Sequence, residues 1–295
     1  MTATAKPAEN DAIFERHRAR AFSVAYRIVG SVSDAEDVVQ EAWLRWRRID
    51  PATIRNPEAW LVTTTARLGI DTLRAARARR ETYVGPWLPE PMVEADAEPT
   101  PEDRLALADD VSMALLHVLE RLAPEERAAF LLHDAFDYDY GELAALLGKS
   151  EAACRQTVSR ARRRVHDEHA RFDTSAREHA RLAAAFGNAI ATANPQALIE
   201  CLSKDVVFYS DGGGKAIAAL NPIYGADNVG RFFSGIAKKA QGVFEPRPVT
   251  VNGRPGLLLV KDEKLETVLA FAVADGRIAA IYAMRNPDKL TRVRL

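Results

Sequence analysis

The chain contains 295 residues, of which 47% are hydrophobic, so it can form two or three compact units. Its formal net charge of −1 argues against attraction of the whole surface to nucleic acid, so any DNA binding must come from local basic patches. No apolar run approaches the ~20 residues that span a bilayer, and the N-terminus lacks the apolar core of a signal peptide, which predicts a cytoplasmic protein without a membrane partner.

The first part of the chain is predicted to be helical after a disordered tail at residues 1–10. From Ile13 to Ile49, apolar residues recur at helical spacing, and a break at Gly30-Ser31 predicts a second helix that starts near Ser33. An acidic face on this second helix can dock a partner, although ordinary solvated surface accounts for it as well. The residues of that face are Asp34, Asp37, Gln40 and Glu41.

A third helix is predicted from Pro57 to Arg80, with Asn56 as its N-cap and the proline at its first position. It interleaves aromatic and hydroxyl side chains with arginines. Unstacked bases need flat surfaces and the DNA backbone needs positive charge, so this mixture favours single-stranded DNA, although it also occurs on ordinary helix faces. The candidate DNA-contacting residues of this segment are Asn56, Trp60, Arg67, Arg74 and Arg77.

The segment from Tyr83 to Pro101 is rich in proline and acidic residues and is predicted to be an extended linker. Helices are predicted again from Glu102 to Val165. Between Gly141 and Val165, two short helices are joined by a turn, because Gly148 can end the first and Ser150 can cap the second. This spacing is typical of a helix-turn-helix. The apolar residues that can pack inward from its second helix are Cys154, Val158, Ala161 and Val165.

The outward face of this second helix is rich in arginine. The planar arginine fork binds a phosphate or a guanine edge with two parallel hydrogen bonds, and a helix fits the major groove of B-DNA. The pattern therefore predicts a DNA-reading helix, while a solvated basic helix without nucleic acid is the alternative. The candidate residues are Arg155, Gln156, Ser159, Arg160 and Arg163.

The C-terminal part of the chain changes to a mixture of helices and strands. Two tight-hairpin signals, Asn252-Gly253 and Asp275-Gly276, separate strand-like runs. The predicted helices run from Arg177 to Thr192, from Pro195 onward and from Asp227 to Lys239. The predicted strands are Val206 to Ser210, Val243 to Val251, Gly256 to Lys261, Glu266 to Ala274 and Arg277 to Arg285. This order predicts an α+β domain.

The two cysteines, Cys154 and Cys201, form no CxxC pair and have no metal-ligand spacing with histidine. They are predicted to be reduced core thiols. Neither a metal site nor a cofactor is expected.

The three N-terminal motifs together resemble the extracytoplasmic-function sigma factors of bacterial RNA polymerase, over about residues 11 to 170. The run DAEDVVQEA, from Asp34 to Ala42, is similar to their polymerase-binding helix. Asn56 to Arg80 resembles the element that melts and reads the promoter −10 region, and Gly141 to Val165 resembles the −35 reader. The resemblance implies a promoter-specificity subunit whose partners are core RNA polymerase and promoter DNA.

Three further runs resemble a subgroup of these sigma factors with a fused SnoaL-like domain, of the nuclear transport factor 2-like fold. They are WLPEP from Trp87 to Pro91, DGGGK from Asp211 to Lys215 and NPDKL from Asn286 to Leu290. The resemblance implies that this domain regulates the sigma modules in cis; a plain flexible hairpin at the glycines is the alternative reading. The expected regulatory residues are Trp87, Pro89, Asp211, Gly213, Lys215, Asn286, Asp288 and Lys289.

The expected fold is therefore multidomain. Two all-α sigma modules, called region 2 and region 4, are joined by a linker and followed by an α+β SnoaL-like domain with a curved antiparallel sheet. The expected boundaries are 1–10 for the tail, 11–82 for region 2, 83–104 for the linker, 105–171 for region 4 and 177–295 for the SnoaL-like domain.

A competing function is a helix-turn-helix protein fused to a catalytic or ligand-binding SnoaL-like domain, a cyclase or isomerase. Asp211 would be its base, near Tyr209, Tyr282 and Arg285. A cavity attached to DNA-reading modules is better explained as a sensor for a small-molecule ligand or as an interface, so we do not expect an enzyme. An ordinary transcriptional activator is a second rival, and it would bind promoter DNA without core polymerase.

Overall fold

The computed structural model describes residues 5–94, 111–169, 175–239 and 244–295. Residues 1–4 of the predicted tail, 95–104 of the predicted linker and 105–110 and 170–171 of the predicted region 4 lie outside these residues, as does Val243 of a predicted strand. The chain divides into two compact units. Among the described residues, the helical unit comprises 5–79, 111 and 119–166, and the mixed unit comprises 80–94, 112–118, 167–169, 175–239 and 244–295.

The first seven helices of the described chain are α1 Ala5–Val29, α2 Val32–Trp46, α3 Pro57–Arg80, α4 Met113–Leu119, α5 Pro124–Ala135, α6 Tyr140–Leu147 and α7 Glu151–His169. The boundary between α1 and α2 follows the predicted break, because Ser31 accepts a hydrogen bond from the Asp34 amide (3.2 Å) and so caps α2. A short 3-10 turn, Pro51–Thr53, precedes α3.

The predicted disordered tail is wrong for residues 5–10, which already belong to α1. The reason is a contact that sequence spacing does not show. The buried indole of Trp46 donates a hydrogen bond to the Asn10 carbonyl (2.8 Å), and the Asn10 side chain donates to the Ile49 carbonyl (3.4 Å). These two contacts hold α1 at Asn10 against the end of α2 and the residues that follow it.

A buried arginine connects the two halves of the helical unit. Arg127, in α5, is fully buried. Its Nε donates to the Arg27 carbonyl in α1 (2.9 Å), and its guanidinium pairs with the Glu120 carboxylate. A buried arginine requires such partners because an unpaired buried charge is costly.

The mixed unit contains three more helices, α8 Ala176–Ala191, α9 Pro195–Glu200 and α10 Ala226–Lys239. Its strands are β1 Val93–Glu94, β2 Leu202–Asp211, β3 Ile223–Tyr224, β4 Glu245–Val251, β5 Arg254–Lys261, β6 Lys264–Ala274 and β7 Arg277–Met284. They form one seven-stranded sheet of the described residues, in the order β1-β4-β5-β6-β7-β2-β3. The 3-10 turn Pro287–Lys289 follows β7.

The α+β class is confirmed, with one difference in strand direction. Neighbouring strands are antiparallel except for β2, which runs parallel to β7 with Phe208 opposite Ile281. The two strands are far apart in sequence and are not joined by a hairpin, so no turn forces them to be antiparallel. The hairpin signals are also confirmed, since Asn252 and Gly253 have φ of 51° and 71°, and Asp275 and Gly276 have φ of 48° and 70°.

The two faces of the sheet bury two different cores. Successive strand residues point to opposite faces, so Phe208 and Phe271 belong to one core, and Ala270 and Tyr282 belong to the other. Helices α8, α9 and α10 supply apolar residues to the first core. The second core, which we call the linker-side core, includes Leu88 of the predicted linker.

The predicted domain boundaries differ from this packing in two places. Residues 83–94 are extended as expected, but they belong to the mixed unit, because Leu88 is fully buried and β1 pairs with β4 through Val93 and Val251. Helix α4 was predicted within region 4, yet Met113 and Ala114 are buried in the linker-side core. Apolar burial on the sheet therefore decides which unit each of these segments packs with.

Candidate DNA, polymerase and regulatory surfaces

The helix-turn-helix forms with the predicted geometry. Asp139 caps α6, and Gly148 ends it in the left-handed conformation with φ of 65°. Ser150 then accepts a hydrogen bond from the Ala153 amide (3.2 Å) at the start of α7. The four residues expected to pack inward from α7 are all buried: Cys154, Val158, Ala161 and Val165.

The remaining face of α7 is exposed and basic, and it holds the five residues predicted to contact DNA: Arg155, Gln156, Ser159, Arg160 and Arg163. The Arg155 guanidinium lies 4.4 Å from the ring centroid of Tyr140, in α6. Arg160 approaches Glu126 only at 3.9 Å. This face therefore presents several exposed cations in one row, as phosphate or base-edge contacts require.

Two other arginines of α7 have a structural task. Arg162 forms a fork with Asp134 of α5, with Nε to Oδ2 at 2.8 Å and Nη2 to Oδ1 at 2.7 Å, and this hydrogen bonding raises the pKa of Arg162. Arg164 pairs with Glu126 (3.1 Å). These pairs orient α7 on α5 and separate the structural arginines from the candidate DNA-reading ones.

The acidic face of α2 lies at the helix surface. Asp37 and Gln40 are exposed, Asp34 and Glu41 are partly exposed, and Glu41 accepts a hydrogen bond from Arg45 (2.9 Å). Beside this face, α1 and α2 form an open groove of about 530 Å³ that includes Gln40. The aromatic residues lining the groove are Phe14, Phe22 and Trp43. Aromatic area suits contact with a protein partner, and the adjacent acidic groups suit a partner surface of positive charge.

The predicted −10 residues of α3 are engaged within the helical unit. Arg67 donates to the carbonyls of Ala145 (3.0 Å) and Leu146 (3.3 Å), at the end of α6. Arg74 pairs with Glu125 of α5, and Arg77 donates to the carbonyls of Glu120 (2.8 Å) and Leu122.

The other two members of the −10 set are structural in this conformation. Asn56 caps α3 by accepting a hydrogen bond from the Ala59 amide (3.1 Å), as predicted. The Trp60 ring packs 5.4 Å from that of Trp46. The structure thus brings the end of α6, in the helix-turn-helix, against Arg67, one of the residues predicted to read the −10 element.

The three subgroup runs meet around one buried carboxylate. Asp211 is fully buried at the end of β2. Its Oδ1 accepts hydrogen bonds from the Tyr83 hydroxyl (2.5 Å) and the Gly213 amide (3.1 Å), and its Oδ2 accepts from the Leu88 amide (2.9 Å) and Lys289 Nζ (2.7 Å). We call Tyr83, Leu88, Asp211, Asn286 and Lys289 the Asp211 node. It ties the linker to the sheet by charge-assisted hydrogen bonds.

The surrounding residues fix the node. Burial and the hydrogen bond to Asp211 raise the pKa of Tyr83, so its hydroxyl stays protonated and donates. The Asn286 amide donates in turn to the Tyr83 oxygen (2.9 Å). Gly213 has φ of 60°, and a Cβ there would lie 2.3 Å from Asn286 Nδ2, so the position requires glycine. These contacts exclude a plain flexible hairpin at the glycine run.

Trp87 and the outer charges complete this surface. The Trp87 ring contacts two cations, Arg80, whose Cζ is 3.4 Å from the ring centroid, and Lys289, whose Nζ is 4.0 Å from it. Pro89 is buried. Lys215 pairs with Asp288 on the surface, where both side chains are more than half exposed.

A cavity of about 380 Å³ opens between the sheet and α8 and α10, on the face opposite the linker; we call it the sheet cavity. Its aromatic lining consists of Phe208, Phe232, Phe233 and Phe244. Polar groups at the cavity include Ser210, Thr267, Arg231 and Arg285. It has the size and composition of a small-molecule site.

The catalytic arrangement considered from the sequence does not form. Asp211 is absent from the described residues that line the sheet cavity, and its oxygens already accept four hydrogen bonds. Tyr209 and Tyr282 stack 5.6 Å apart and lie on the linker side of the sheet, beside His117. Arg285 lines the cavity, but Asp211, the residue considered as the catalytic base, is not among the described residues that line it with Arg285.

The cysteines are core thiols, as predicted. Cys154 and Cys201 are both free and buried, and burial raises the pKa of each thiol. Within the described ranges, no cluster of three or more metal-ligating side chains occurs. No helix in the described part of the chain is both long and apolar enough to cross a bilayer.

Known proteins resemble this chain over nearly its full length. Residues 13–79 match the family Sigma-70 region 2, and residues 112–165 match the family Sigma-70, region 4. The chain is 40% identical over 288 residues to the ECF RNA polymerase sigma factor SigJ of Mycobacterium tuberculosis, an alignment that covers 94% of this chain and 92% of that protein. It is 32% identical over 288 residues to the probable ECF RNA polymerase sigma factor SigI of the same species, covering 96% and 95% of the two chains. The crystal structure of the M. tuberculosis extracytoplasmic function sigma factor SigJ superposes with a TM-score of 0.75 at 37% identity, covering 95% of this chain and 98% of that one.

Proposed function

The chain belongs to the extracytoplasmic-function RNA polymerase sigma factors, and from this membership we propose how its surfaces divide the work of transcription initiation. A sigma factor binds core RNA polymerase and directs it to promoter DNA, and it is not an enzyme. We place the protein in the cytoplasm, because RNA polymerase transcribes the chromosome there.

The exposed row on α7 reads the −35 element. Some of its side chains contact base edges in the major groove and the others position the helix on phosphates. The support is their shared exposure, while Arg162 and Arg164 are held by Asp134 and Glu126. The acidic face of α2, with its neighbouring groove, docks on core polymerase, because charge and aromatic area are combined there.

The α3 residues Asn56, Trp60, Arg67, Arg74 and Arg77 read the −10 element only after the helical unit opens. The −10 and −35 elements lie about 25 base pairs apart, which is ~85 Å of B-DNA at about 3.4 Å per base pair. A compact unit in which Arg67 bonds the end of α6 cannot reach both elements. The described conformation is therefore an inactive one, and polymerase binding favours the open one.

The mixed unit regulates this transition in cis through the linker. The single observation that carries the proposal is the Asp211 node, in which a fully buried carboxylate of the sheet bonds the Tyr83 hydroxyl and the Leu88 amide of the segment that follows α3. Because this segment follows α3 directly in the sequence, a change in its position or in its contacts is transmitted to the end of α3. The node can therefore act as the contact that differs between inactive and active states.

The experiment is run-off transcription with purified core polymerase. The full chain is compared with a chain truncated near Arg171 and with Asp211→Asn and Lys215→Ala. We expect a changed amount of transcript from an unchanged choice of promoter. Wild-type output from all three variants would refute regulation in cis. In a gel-shift assay, promoter binding by the chain without core polymerase would instead favour an ordinary activator.

A further inference from the structure

We propose that the sheet cavity binds a small molecule with an apolar body and one carboxylate group, and that occupancy is communicated to the linker; the second part rests on the proposed regulation in cis. The cavity volume of about 380 Å³ is sufficient for such a molecule. Its walls are mainly apolar, with phenylalanine rings contributed by β2 and α10.

The apolar part of the ligand would lie against the aromatic side chains of the cavity. Phe208, Phe232 and Phe233 form one aromatic cluster with ring centroids 5.0 to 5.8 Å apart, and all three line the cavity. Leu259 and Leu269 line it from the sheet. Filling an apolar cavity of this size removes apolar surface from water and adds dispersion contacts that the walls now lack.

The acidic group is indicated by two arginines. Arg231 is exposed at the cavity and donates to the Asn228 side chain (2.6 Å), without an ion pair to a carboxylate among the described residues. Arg285 pairs with Glu266 (3.0 Å), but its Nε is buried and has no hydrogen-bond partner in the described structure. A ligand carboxylate at the cavity would pair with the Arg231 guanidinium, and a reorientation of Arg285 would bring its unpartnered Nε to the same group.

Buried hydroxyl groups add specificity to the cavity. Ser210 and Thr267 are both buried, and both line the cavity beside the apolar walls. A few placed polar groups in an apolar pocket fix the orientation of a ligand.

The cavity and the linker share one loop, residues 212–222. Ile217 and Ala218 of this loop line the cavity, and the Ile217 carbonyl accepts a hydrogen bond from Arg285. On the linker side, a Cβ placed on Gly85 would lie 3.6 Å from the Leu220 Cα. The Arg285 amide also donates to the Asp211 carbonyl (2.7 Å). A ligand that reorients Arg285 or the loop therefore acts directly beside the Asp211 node.

The test measures binding to the full chain with the fluorescent anion 1-anilinonaphthalene-8-sulfonate, followed by displacement with decanoate and with decanamide. We expect saturable binding, and displacement by decanoate at least tenfold more effective than by the uncharged decanamide. Ser210→Leu places a larger side chain in the cavity and should weaken binding at least tenfold. Ile190→Trp, at a partly buried position of the lining, is a second filling variant in case the first does not fold.

Arginine variants test the acidic group. Arg231→Gln should weaken decanoate binding several-fold. The matched control, Arg247→Gln, removes a partly exposed arginine that pairs with Glu245 outside the cavity and should leave binding unchanged. Probe binding that neither filling variant weakens would overturn the site, because the probe would then sit elsewhere, for example on the groove between α1 and α2. Equal displacement by decanoate and decanamide would overturn the carboxylate assignment.

Transcription separates this inference from the proposed function. Decanoate should change run-off transcription by the full chain and have no effect on the Ser210→Leu chain. If Asp211→Asn alters transcription while the filling variants leave probe binding intact, the cavity inference fails and regulation in cis stands. If the filling variants abolish binding while truncation and Asp211→Asn leave transcription unchanged, the ligand site stands and its communication to the linker fails.

Discussion

Asp211 and Asp288 both pair with a lysine, but the two pairs differ in burial and therefore in their contribution to stability. Asp211 is fully buried and Lys289 is 11% exposed, whereas Asp288 and Lys215 are 61% and 57% exposed. An exposed ion pair is screened by water and contributes ~0–1 kcal/mol. Removing one member of a buried pair leaves an uncompensated charge. The stability of the linker attachment therefore depends on the inner pair.

The first prediction concerns Asp211→Asn, which keeps the shape but removes the charge facing Lys289. We expect a loss of ~3–5 kcal/mol in the free energy of unfolding of the mixed unit, because Lys289 remains buried without its counter-ion. Urea unfolding followed by circular dichroism measures it. Asp288→Asn is the matched control and should cost less than ~1 kcal/mol. Equal losses in the two variants would contradict the difference assigned to burial.

Helix α7 carries two sets of exposed arginines that differ in their partners. The exposed face carries Arg155, Arg160 and Arg163, and the other cations, Arg162 and Arg164, bind carboxylates of α5. In our proposal, the same residue type therefore orients the helix at two positions and contacts DNA at the others.

The second prediction is that alanine at Arg155 and Arg160 relaxes −35 recognition. Loss of one bidentate arginine to base contact costs ~1–3 kcal/mol and relaxes preference at one base pair. Competition between promoter variants in holoenzyme binding measures it. Arg162→Ala serves as the control, since its guanidinium is occupied by Asp134; it should lower stability without changing base preference. An unchanged ranking of promoters in the double variant would show that this face does not read DNA.

Helix α2 offers its acidic face to solvent while its other side packs in the core. The third prediction is that Asp34→Lys with Asp37→Lys abolishes assembly with core polymerase and leaves the fold intact, because both positions are on the helix surface. Co-purification with core enzyme measures assembly. Glu200→Lys with Asp205→Lys gives the same change in net charge at exposed positions of the mixed unit and should assemble normally. Wild-type assembly of the α2 variant would exclude this surface.

At the scale of the whole molecule, the arrangement within the helical unit determines what the sigma factor can contact. Arg67, Arg74 and Arg77 of α3 bond groups of α5, α6 and the turn before α5. Their guanidinium groups are bonded within the helical unit. The predicted contact with single-stranded DNA requires these bonds to break.

The fourth prediction is that core polymerase and promoter DNA separate α3 from α7. Fluorescent labels on cysteines placed at the exposed positions Ala75 and Ala152 report the distance, and the buried Cys154 and Cys201 are shielded from labelling. We expect energy transfer to be high in the free chain and to fall on holoenzyme formation, since the two promoter elements are ~85 Å apart at about 3.4 Å per base pair. Unchanged transfer in the promoter complex would contradict the opening.

The amino-acid sequence by itself determined the features that depend on neighbouring residues. The Ser150 cap, the left-handed Gly148, the inward set on α7 and the two hairpins each involve contacts within a few residues, so spacing and residue type suffice to predict them. The resemblance of short runs to sigma factors also identified the family and the segments that would form a regulatory surface.

Only the tertiary structure decided which of those segments meet. The Asn286 to Tyr83 hydrogen bond joins residues 203 positions apart, and the Arg67 to Ala145 bond joins residues 78 positions apart. The same is true of α4, assigned to the mixed unit by Met113 and Ala114, and of Asp211, which faces the linker instead of the cavity. Such contacts are set by which apolar surfaces bury one another across the folded chain, and local periodicity contains no information about that pairing.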